Sequence, residues 1–502
     1  MLQTGNFDHK SIKRELLSGL TVALALVPEA IAFAFVAGVE PLVGLYAAFI
    51  IGLITAIFGG RPGMISGATG ALAVVMGELF HLHPETKQYL YLMVIMMGGF
   101  QVLFGVFKLG KLVRLIPEPV MFGFVNGLAV VIFKAQFASF HDMTNSQIGM
   151  MAGVILLVMA TIHFLPKFTR AIPPALAGIV VSAVAVGLLH LDIPTVGDIA
   201  SVAGGFPSFA LPAIPTDWSI WQLITKTALI LAAIGLIESL MTLTLIDEIT
   251  QTRGKSNKES VAQGVANVVT GLFGGMGGCA MIGQSMINID NGGRRRLSGI
   301  SAALFLLSFI LFGSAIIEMI PIASLIGVMF MVVIGTFEWE TFNIFRKIPK
   351  SDAFVIVVVT VVTVLTDLAL AVFVGIVISA VVYAWESAKK VSASSFVRED
   401  GALEYDLHGS IFFASARYFK DLFCIECGEN EVYIDFKDAR VHDHSGIEAI
   451  SWVAEQYKNA GKKLHLLHLS EDCRNLLTNA GDMIEVNMVE DPHYRVADDQ
   501  LA

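Results

Sequence analysis

The sequence predicts an all-α polytopic membrane domain followed by a small soluble α/β module, and three observations carry that fold class. First, 55% of the 502 residues are hydrophobic and only 15% are charged, with a mean hydropathy of +0.71, which is far too apolar for a soluble globular chain. Second, two apolar stretches, 65–76 and 274–289, are broken by glycines and small polar residues in corresponding places of two halves. Third, the composition turns charged after Lys390.

The bulk numbers exclude several function classes. A net charge of −10, with Arg294-Arg295-Arg296 as the longest basic tract, argues against nucleic-acid binding. Four cysteines, Cys279, Cys424, Cys427 and Cys473, are too few for a disulfide scaffold. Cys424 and Cys427 form an isolated C-x-x-C pair with no second pair or suitably spaced histidine, so they are expected to be ordinary thiols in a reducing cytoplasm rather than a zinc or redox site. The polar start of the chain lacks a short apolar region with a cleavage site, so no removable signal peptide is read. No phosphate-binding P-loop exists, which argues against an ATP-driven pump. No enzyme chemistry and no cofactor is expected.

Taken in order, the apolar spans are 16–37, 42–58, a half-helix at 66–80, then 89–107, 120–137, 148–164 and 171–189, each near the length that crosses ~30 Å of hydrocarbon. Residues 190–220 form a polar, proline-bearing connection. The second half repeats the rhythm with 221–246, 261–273, a half-helix after Gly278, 298–317, 322–336 and 354–385, the last read as two short helices hinged near Asp367. Seven elements per half is an odd number, so the halves (about 11–215 and 216–390) run in opposite orientation as an inverted repeat. Arg61, Lys108, Lys111, Arg114, Lys167, Arg170, Arg253, Lys255, Lys258, Arg294–Arg296, Arg346, Lys347 and Lys350 fall in loops of one parity. Asp192, Asp198, Asp217 and Glu318 occupy the other, with Lys87 and Lys134 as exceptions. By the positive-inside rule both termini are cytoplasmic. The module from 396 to 502 is expected to have strands at 432–436 and 463–469 and helices at 446–460 and 470–480, hence a mostly parallel sheet.

The broken stretches are the expected site. Gly274, Gly275, Gly277, Gly278 and Gly283 each cost a helix roughly 1 kcal/mol relative to alanine. The backbone is therefore expected to unwind and restart near Met281. In the first half Ser66, Gly67, Thr69 and Gly70 have the same effect. Free N–H groups at such restarts survive in lipid only where they are buried or line a cavity, and they form the positive end of a helix dipole, which suits an anion. Either stretch alone reads better as a close-packed small-residue crossing; their pairing points to a transporter site at the bilayer midplane.

Six side chains are candidates to carry the chemistry. Glu238 lies deep in its span, where a carboxylate costs several kcal/mol unless protonated or paired. It is the expected coupling residue for H⁺, or alternatively a Na⁺ ligand, with Thr242 one turn on; a structural carboxyl is the weaker reading. Glu29 follows the helix-bending Pro28, and Phe33 lies one turn further, where a core aromatic beside a kink explains it as well as a wall of the site does. Gln284 opens the second half-helix and Thr69 is its counterpart in the first. Asp247 and Glu248 are read as solvated charges at a span's end.

Pro28-Glu-Ala-Ile-Ala-Phe33, Gly59-Gly-Arg-Pro-Gly-Met-Ile-Ser-Gly-Ala-Thr-Gly70 and Gly278-Cys-Ala-Met-Ile-Gly-Gln-Ser-Met-Ile-Asn288 with Gly292-Gly293 resemble the signature stretches of the sulfate permease (SulP) family of anion transporters. The resemblance covers nearly the whole chain, and the tail resembles a STAS domain (sulfate transporter and anti-sigma factor antagonist) with Asp443-His-Ser-Gly446. It implies fourteen transmembrane segments divided into core and gate subdomains, a homodimer, and elevator-like movement. It places the anion against Thr69, Gly70, Ala71, Met281, Ile282 and Gly283, with Glu29, Phe33 and Gln284 alongside, and gives Glu238 the coupling role. Many members have a basic residue at Gln284 and several have glutamine at Glu29. Those departures weaken the case for a dianion and strengthen that for proton symport. Ser445 matches the serine phosphorylated in stand-alone STAS homologues, but His444 replaces its neighbour.

The resulting expectation is a bacterial inner-membrane, proton-coupled secondary transporter of sulfate or bicarbonate, with the transport domain at 1–390 and the STAS domain at 396–502. Its rivals are a C4-dicarboxylate transporter, an uncoupled anion channel and an anion sensor that binds without flux.

Overall fold

Apolar runs of membrane-crossing length become helices because hydrocarbon offers backbone polar groups no partner but each other. The computed structural model describes residues 9–110, 117–140, 143–169, 173–199, 201–345, 347–366, 368–399, 401–427, 430–470, 473 and 487–489. It divides into two compact units, Met1–Ile376 and Val377–Ala502. Lys111, Arg114, Arg170, Arg346, Asp367 and nearly all of the helix expected at 470–480 lie outside the described residues.

The first half contains α1 (His9–Val36), α2 (Pro41–Phe58), β1 (Ser66–Ala68), α3 (Gly70–Leu82), α4 (Leu90–Val106), α5 (Glu118–Ala135), α6 (Asn145–Phe168) and α7 (Pro174–Leu189). A short α8 (Val196–Ile199) lies in the connection. The second half contains α9 (Trp218–Thr250), α10 (Ser256–Leu272), β2 (Gly278–Ala280), α11 (Ile282–Asp290), α12 (Arg296–Phe312), α13 (Ser314–Glu318), α14 (Ile322–Thr336), α15 (Glu340–Ile344), α16 (Lys350–Leu365) and α17 (Leu368–Ala388). Among the described residues eight helices are long and apolar enough to cross a membrane, and Gly70–Leu82, Pro174–Leu189 and Arg296–Phe312 are shorter apolar helices. The protein is a multi-pass membrane protein. The expected two-helix reading of 354–385 is met by the interruption between α16 and α17.

The inverted repeat is visible in reciprocal packing. α2 packs on α12 as α10 packs on α4, α1 on α12 as α9 on α4, and α5 on α16 as α14 on α6. One group of helices comprises α1–α4 with α9–α12; the other comprises α5–α7 with α14 and α16. At the α4/α10 crossing, a Cβ on Gly98 would lie 2.5 Å from the Gly264 carbonyl oxygen and one on Gly264 would lie 2.6 Å from that of Gly98. Backbone meets backbone there, the contact that small residues permit between membrane helices.

Remote side chains tie the loops down. Glu15 accepts from the N–H groups of Arg294, Arg295 and Ser298 at the start of α12, and Arg296 donates to the carbonyls of Ala56, Ile57 and Gly59 at the end of α2. One sequence expectation is corrected here. Asp247 is not a solvated end charge: it forms an ion pair with the buried Arg61 at 3.2 Å and also accepts from the Gly254 N–H at 2.9 Å. On the opposite set of loops, the Ser201 hydroxyl and the Val202 N–H hold the Glu318 carboxyl below its ordinary range.

The second unit has a five-stranded sheet in the order β3–β4–β5–β6–β7, from β3 (Ser392–Val397), β4 (Leu403–Ile411), β5 (Glu431–Val441), β6 (Lys463–Leu467) and β7 (Asn487–Val489), with α18 (Ala416–Lys420) and α19 (His444–Asn459). Only β3 pairs antiparallel. Tyr457, Phe419 and Phe436 are buried in its core. Asp443 caps α19, accepting from the Gly446 N–H at 2.9 Å and the Phe413 N–H at 2.8 Å. The expectation of free thiols at Cys424 and Cys427 is overturned. They form a disulfide with a Cα–Cα distance of 5.3 Å, a separation that permits the bond.

Candidate functional site

Each glycine-broken stretch folds as a three-residue strand followed at once by a helix. β1 and β2 pair antiparallel, Ser66 with Ala280, Gly67 with Cys279 and Ala68 with Gly278. The approach is so close that a Cβ on Gly278 would lie 2.1 Å from the Gly67 carbonyl oxygen, so only glycine fits. Thr69 (φ −126°, ψ 150°) and Met281 (φ −114°, ψ 125°) are extended, and the helices begin at the next residue. Neither side chain caps its own helix, so the first-turn N–H groups receive no cap from those residues. Two helix N-termini thus emerge from one buried strand crossing, an arrangement that favours negative charge.

A polar scaffold from α9 and α10 holds the crossing. Asn267 accepts from the Gly278 N–H and donates to the Gly278 carbonyl, both at 3.0 Å. Gln263 donates to the Ser66 hydroxyl at 2.7 Å. Ser239 accepts from the Ala280 N–H at 3.1 Å. The Met281 N–H donates to the Ile65 carbonyl at 2.9 Å, and Ser285 accepts from the Ile65 N–H at 2.9 Å. None of these scaffold side chains was singled out by the sequence. A helix-face pattern of Gln263 and Asn267 at i, i+4 was the available signal, since two buried amides on one face need partners.

The expected site residues divide into those brought together and those turned elsewhere. Phe33 lies against Gly70: a Cβ on Gly70 would sit 2.8 Å from the Phe33 ring and 2.9 Å from Ile132 Cδ1. Thr69 and Ala71 are buried, as is Met281, while Ile282 is half-buried. Gly283 is exposed, with nothing within 4 Å of where a Cβ would stand, so open space lies beside the first turn of α11. Gln284 donates to Glu29 Oε2 at 2.5 Å, and its own carbonyl oxygen is buried with no partner among the described residues. The Cys279 thiol donates to Glu238 Oε2 at 2.9 Å and lies 3.4 Å from the Thr69 hydroxyl. Cys279 therefore links Glu238 to the start of α3, a role the sequence did not suggest. Thr242 is fully buried and donates to the Glu238 main-chain carbonyl at 2.8 Å, so its hydroxyl proton serves its own helix rather than the Glu238 carboxylate.

Comparison with known proteins accounts for this architecture. The sequence pattern of the sulfate permease family matches residues 12–147 and 138–360, and that of the STAS domain matches 394–489. The chain belongs to the sulfate permease family. Within the family it is 42% identical over 468 residues to YbaR of Bacillus subtilis (strain 168), provisionally named a sulfate transporter, covering 93% of this chain and 96% of that one. The solved transmembrane domain of a cyanobacterial bicarbonate transporter, BicA, superposes with a TM-score of 0.65 at 31% identity, over 73% of this chain and 98% of that one. The murine Solute Carrier 26 family member A9 anion transporter, solved in an inward-facing state, shares the fold at 17% identity with a TM-score of 0.78, over 93% of this chain and 87% of that one. YbaR and BicA are named as transporters, not enzymes.

Proposed function

We propose that the chain is a proton-coupled secondary transporter that takes up an inorganic anion, bicarbonate or sulfate, with the anion held between the N-termini of α3 and α11. The single observation that carries the reading is the β1–β2 crossing, which aims two uncapped helix starts into a region bordered by open space at Gly283. The anion would meet Thr69, Gly70 and Ala71 on one side and Met281, Ile282 and Gly283 on the other, with Phe33 as an apolar wall.

No basic side chain joins the two helix starts among the residues proposed to hold the anion, and Glu29 adds a negative charge beside Gln284. A proton on Glu29 would remove that charge. Its O–H could then donate to the Gln284 amide oxygen, leaving the Gln284 N–H groups available to the anion. Glu238, connected through Cys279 to Thr69, is the proposed coupling site: a proton there and an anion at Thr69 are neighbours and stabilise each other. H⁺ suits this carboxyl better than Na⁺, since its partner among the described residues is a thiol and Thr242 donates elsewhere.

Movement of the α1–α4 and α9–α12 group against the other helices supplies alternating access of the elevator type. The reading includes a homodimer, cytoplasmic termini and STAS domain, and domain limits of 1–390 and 396–502. The test is uptake of labelled bicarbonate, sulfate and a C4-dicarboxylate by proteoliposomes across an imposed pH gradient. Accumulation of an inorganic anion only when the gradient is present is expected. Accumulation of the dicarboxylate alone would sink the substrate assignment, and flux indifferent to the gradient would sink the coupling.

A further inference from the structure

Lys134 stands apart from the charge pattern of the chain, as a lysine at the end of a span on the side whose loops are acidic. In the structure it lines a cavity of about 900 Å³, enclosed by α1 at Phe35, α3 at Glu78 and His81, α14 at Ile322 and the end of α16 at Thr366. The cavity runs along one face of α3. Val74, Gly77, Glu78 and His81 line it, and they follow Gly70 by four, seven, eight and eleven residues, which is a single helical stripe. At the start of that stripe Phe33 and Ile132 close on Gly70. Ile132 is on α5, two residues before Lys134. The cavity thus lies along the same face of α3 that starts at Gly70, with the apolar Phe33–Ile132 contact between the two.

Lys134 is exposed and, among the described residues, no carboxylate lies within ion-pair distance of it. Among the described residues, Lys134, Glu78 and His81 are the titratable groups on the cavity wall. The remaining wall is largely apolar, and low-dielectric walls concentrate the field of the charges set into them. A lysine in the last turn of α5 also complements the helix dipole, but that requires no cavity and is served equally by a side chain facing lipid headgroups.

We propose that Lys134 forms an anion-capture site in this cavity, a second and weaker site that holds an inorganic oxyanion before the Phe33–Ile132 contact opens and passes it to Gly70. Glu78 is its counter-charge, which keeps the empty cavity neutral and the capture weak enough to release. This site rests on the transport reading given above and adds to it a residue on the path to the half-helices.

The test uses the full-length protein in proteoliposomes, with initial rates of labelled bicarbonate and sulfate uptake measured against concentration at low and high ionic strength, an impermeant organic anion supplying the salt. Lys134→Gln is expected to raise KM about three- to tenfold at low salt with kcat within about twofold, because one steering charge acts on capture and not on translocation. The difference should shrink at high salt. Glu78→Gln should move KM in the opposite direction, and Lys134→Arg should behave as the parent protein. An unchanged KM in Lys134→Gln, or a loss shared by Lys134→Arg and indifferent to salt, overturns the capture site while transport stands. Parent protein that takes up neither anion overturns the transport reading and this site together.

Discussion

Glu238→Gln tests the coupling assignment most directly because the structure lets the side chain be exchanged without disturbing its surroundings. Glutamine has the same size, and its amide oxygen can accept the Cys279 thiol as Glu238 Oε2 does at 2.9 Å. The largest structural cost is the difference between two hydrogen bonds, about 1 kcal/mol, too little to unfold the protein. What is lost is the ability to carry a proton. In a one-to-one symport each pH unit of gradient is worth about 1.4 kcal/mol, or about tenfold accumulation. A gradient of about two units therefore drives about a hundredfold accumulation in the parent protein and none in Glu238→Gln. The assay is labelled sulfate uptake into proteoliposomes under an imposed pH gradient, since bicarbonate would follow the gradient unaided as permeant CO2, paired with counterflow exchange at equal pH and a thermal melt. Counterflow and melting temperature should be retained. Undiminished pH-driven accumulation would falsify the coupling role, and equal loss of uptake and counterflow would make Glu238 a structural residue.

Other expectations follow from the same geometry. Asn267→Ala strips both main-chain groups of buried Gly278 of their partner at about 1–3 kcal/mol each; a thermal melt should fall and anion uptake disappear, whereas an unchanged melt would show that the scaffold is not held there. Gly70→Ala drives a methyl to 2.8 Å from the Phe33 ring, an overpacking of about 1–3 kcal/mol, so KM for the anion should rise about tenfold; an unaltered KM would remove Gly70 from the anion's surroundings. Asp443→Ala deletes the α19 cap and the Phe413 contact at about 0.5–2 kcal/mol, and hydrogen exchange in the full-length protein should accelerate in the first turn of α19, with no change elsewhere in the sheet; equal exchange rates in variant and parent would refute the cap.

Legibility varied with the range of the interaction that decides each feature. Spans such as 42–58 and 322–336 match α2 and α14 nearly residue for residue, since hydrocarbon thickness and hydropathy act locally. The interruption between α16 and α17 was readable for the same reason. β3 and β4 were not read, because their alternation is short and interrupted, and β4 gains its place by pairing with β3 on one side and β5 on the other. The charge at Asp247 looked solvated because its partner, Arg61, lies in the other half of the chain. The disulfide between Cys424 and Cys427 was missed because compartment and composition argued for thiols, while the loop after α18 brings the two together.

The chain by itself determined the membrane class, the seven-plus-seven order, the two interruptions and the acids at Glu29 and Glu238, all properties of local composition and spacing. Tertiary structure alone decided what each interruption touches: Cys279 between Glu238 and Thr69, Asn267 on Gly278, Gln284 on Glu29, Phe33 on Gly70. Those contacts join residues as far apart as 255 positions. No local preference encodes them, because a buried polar group accepts whatever partner the packed helices bring within reach.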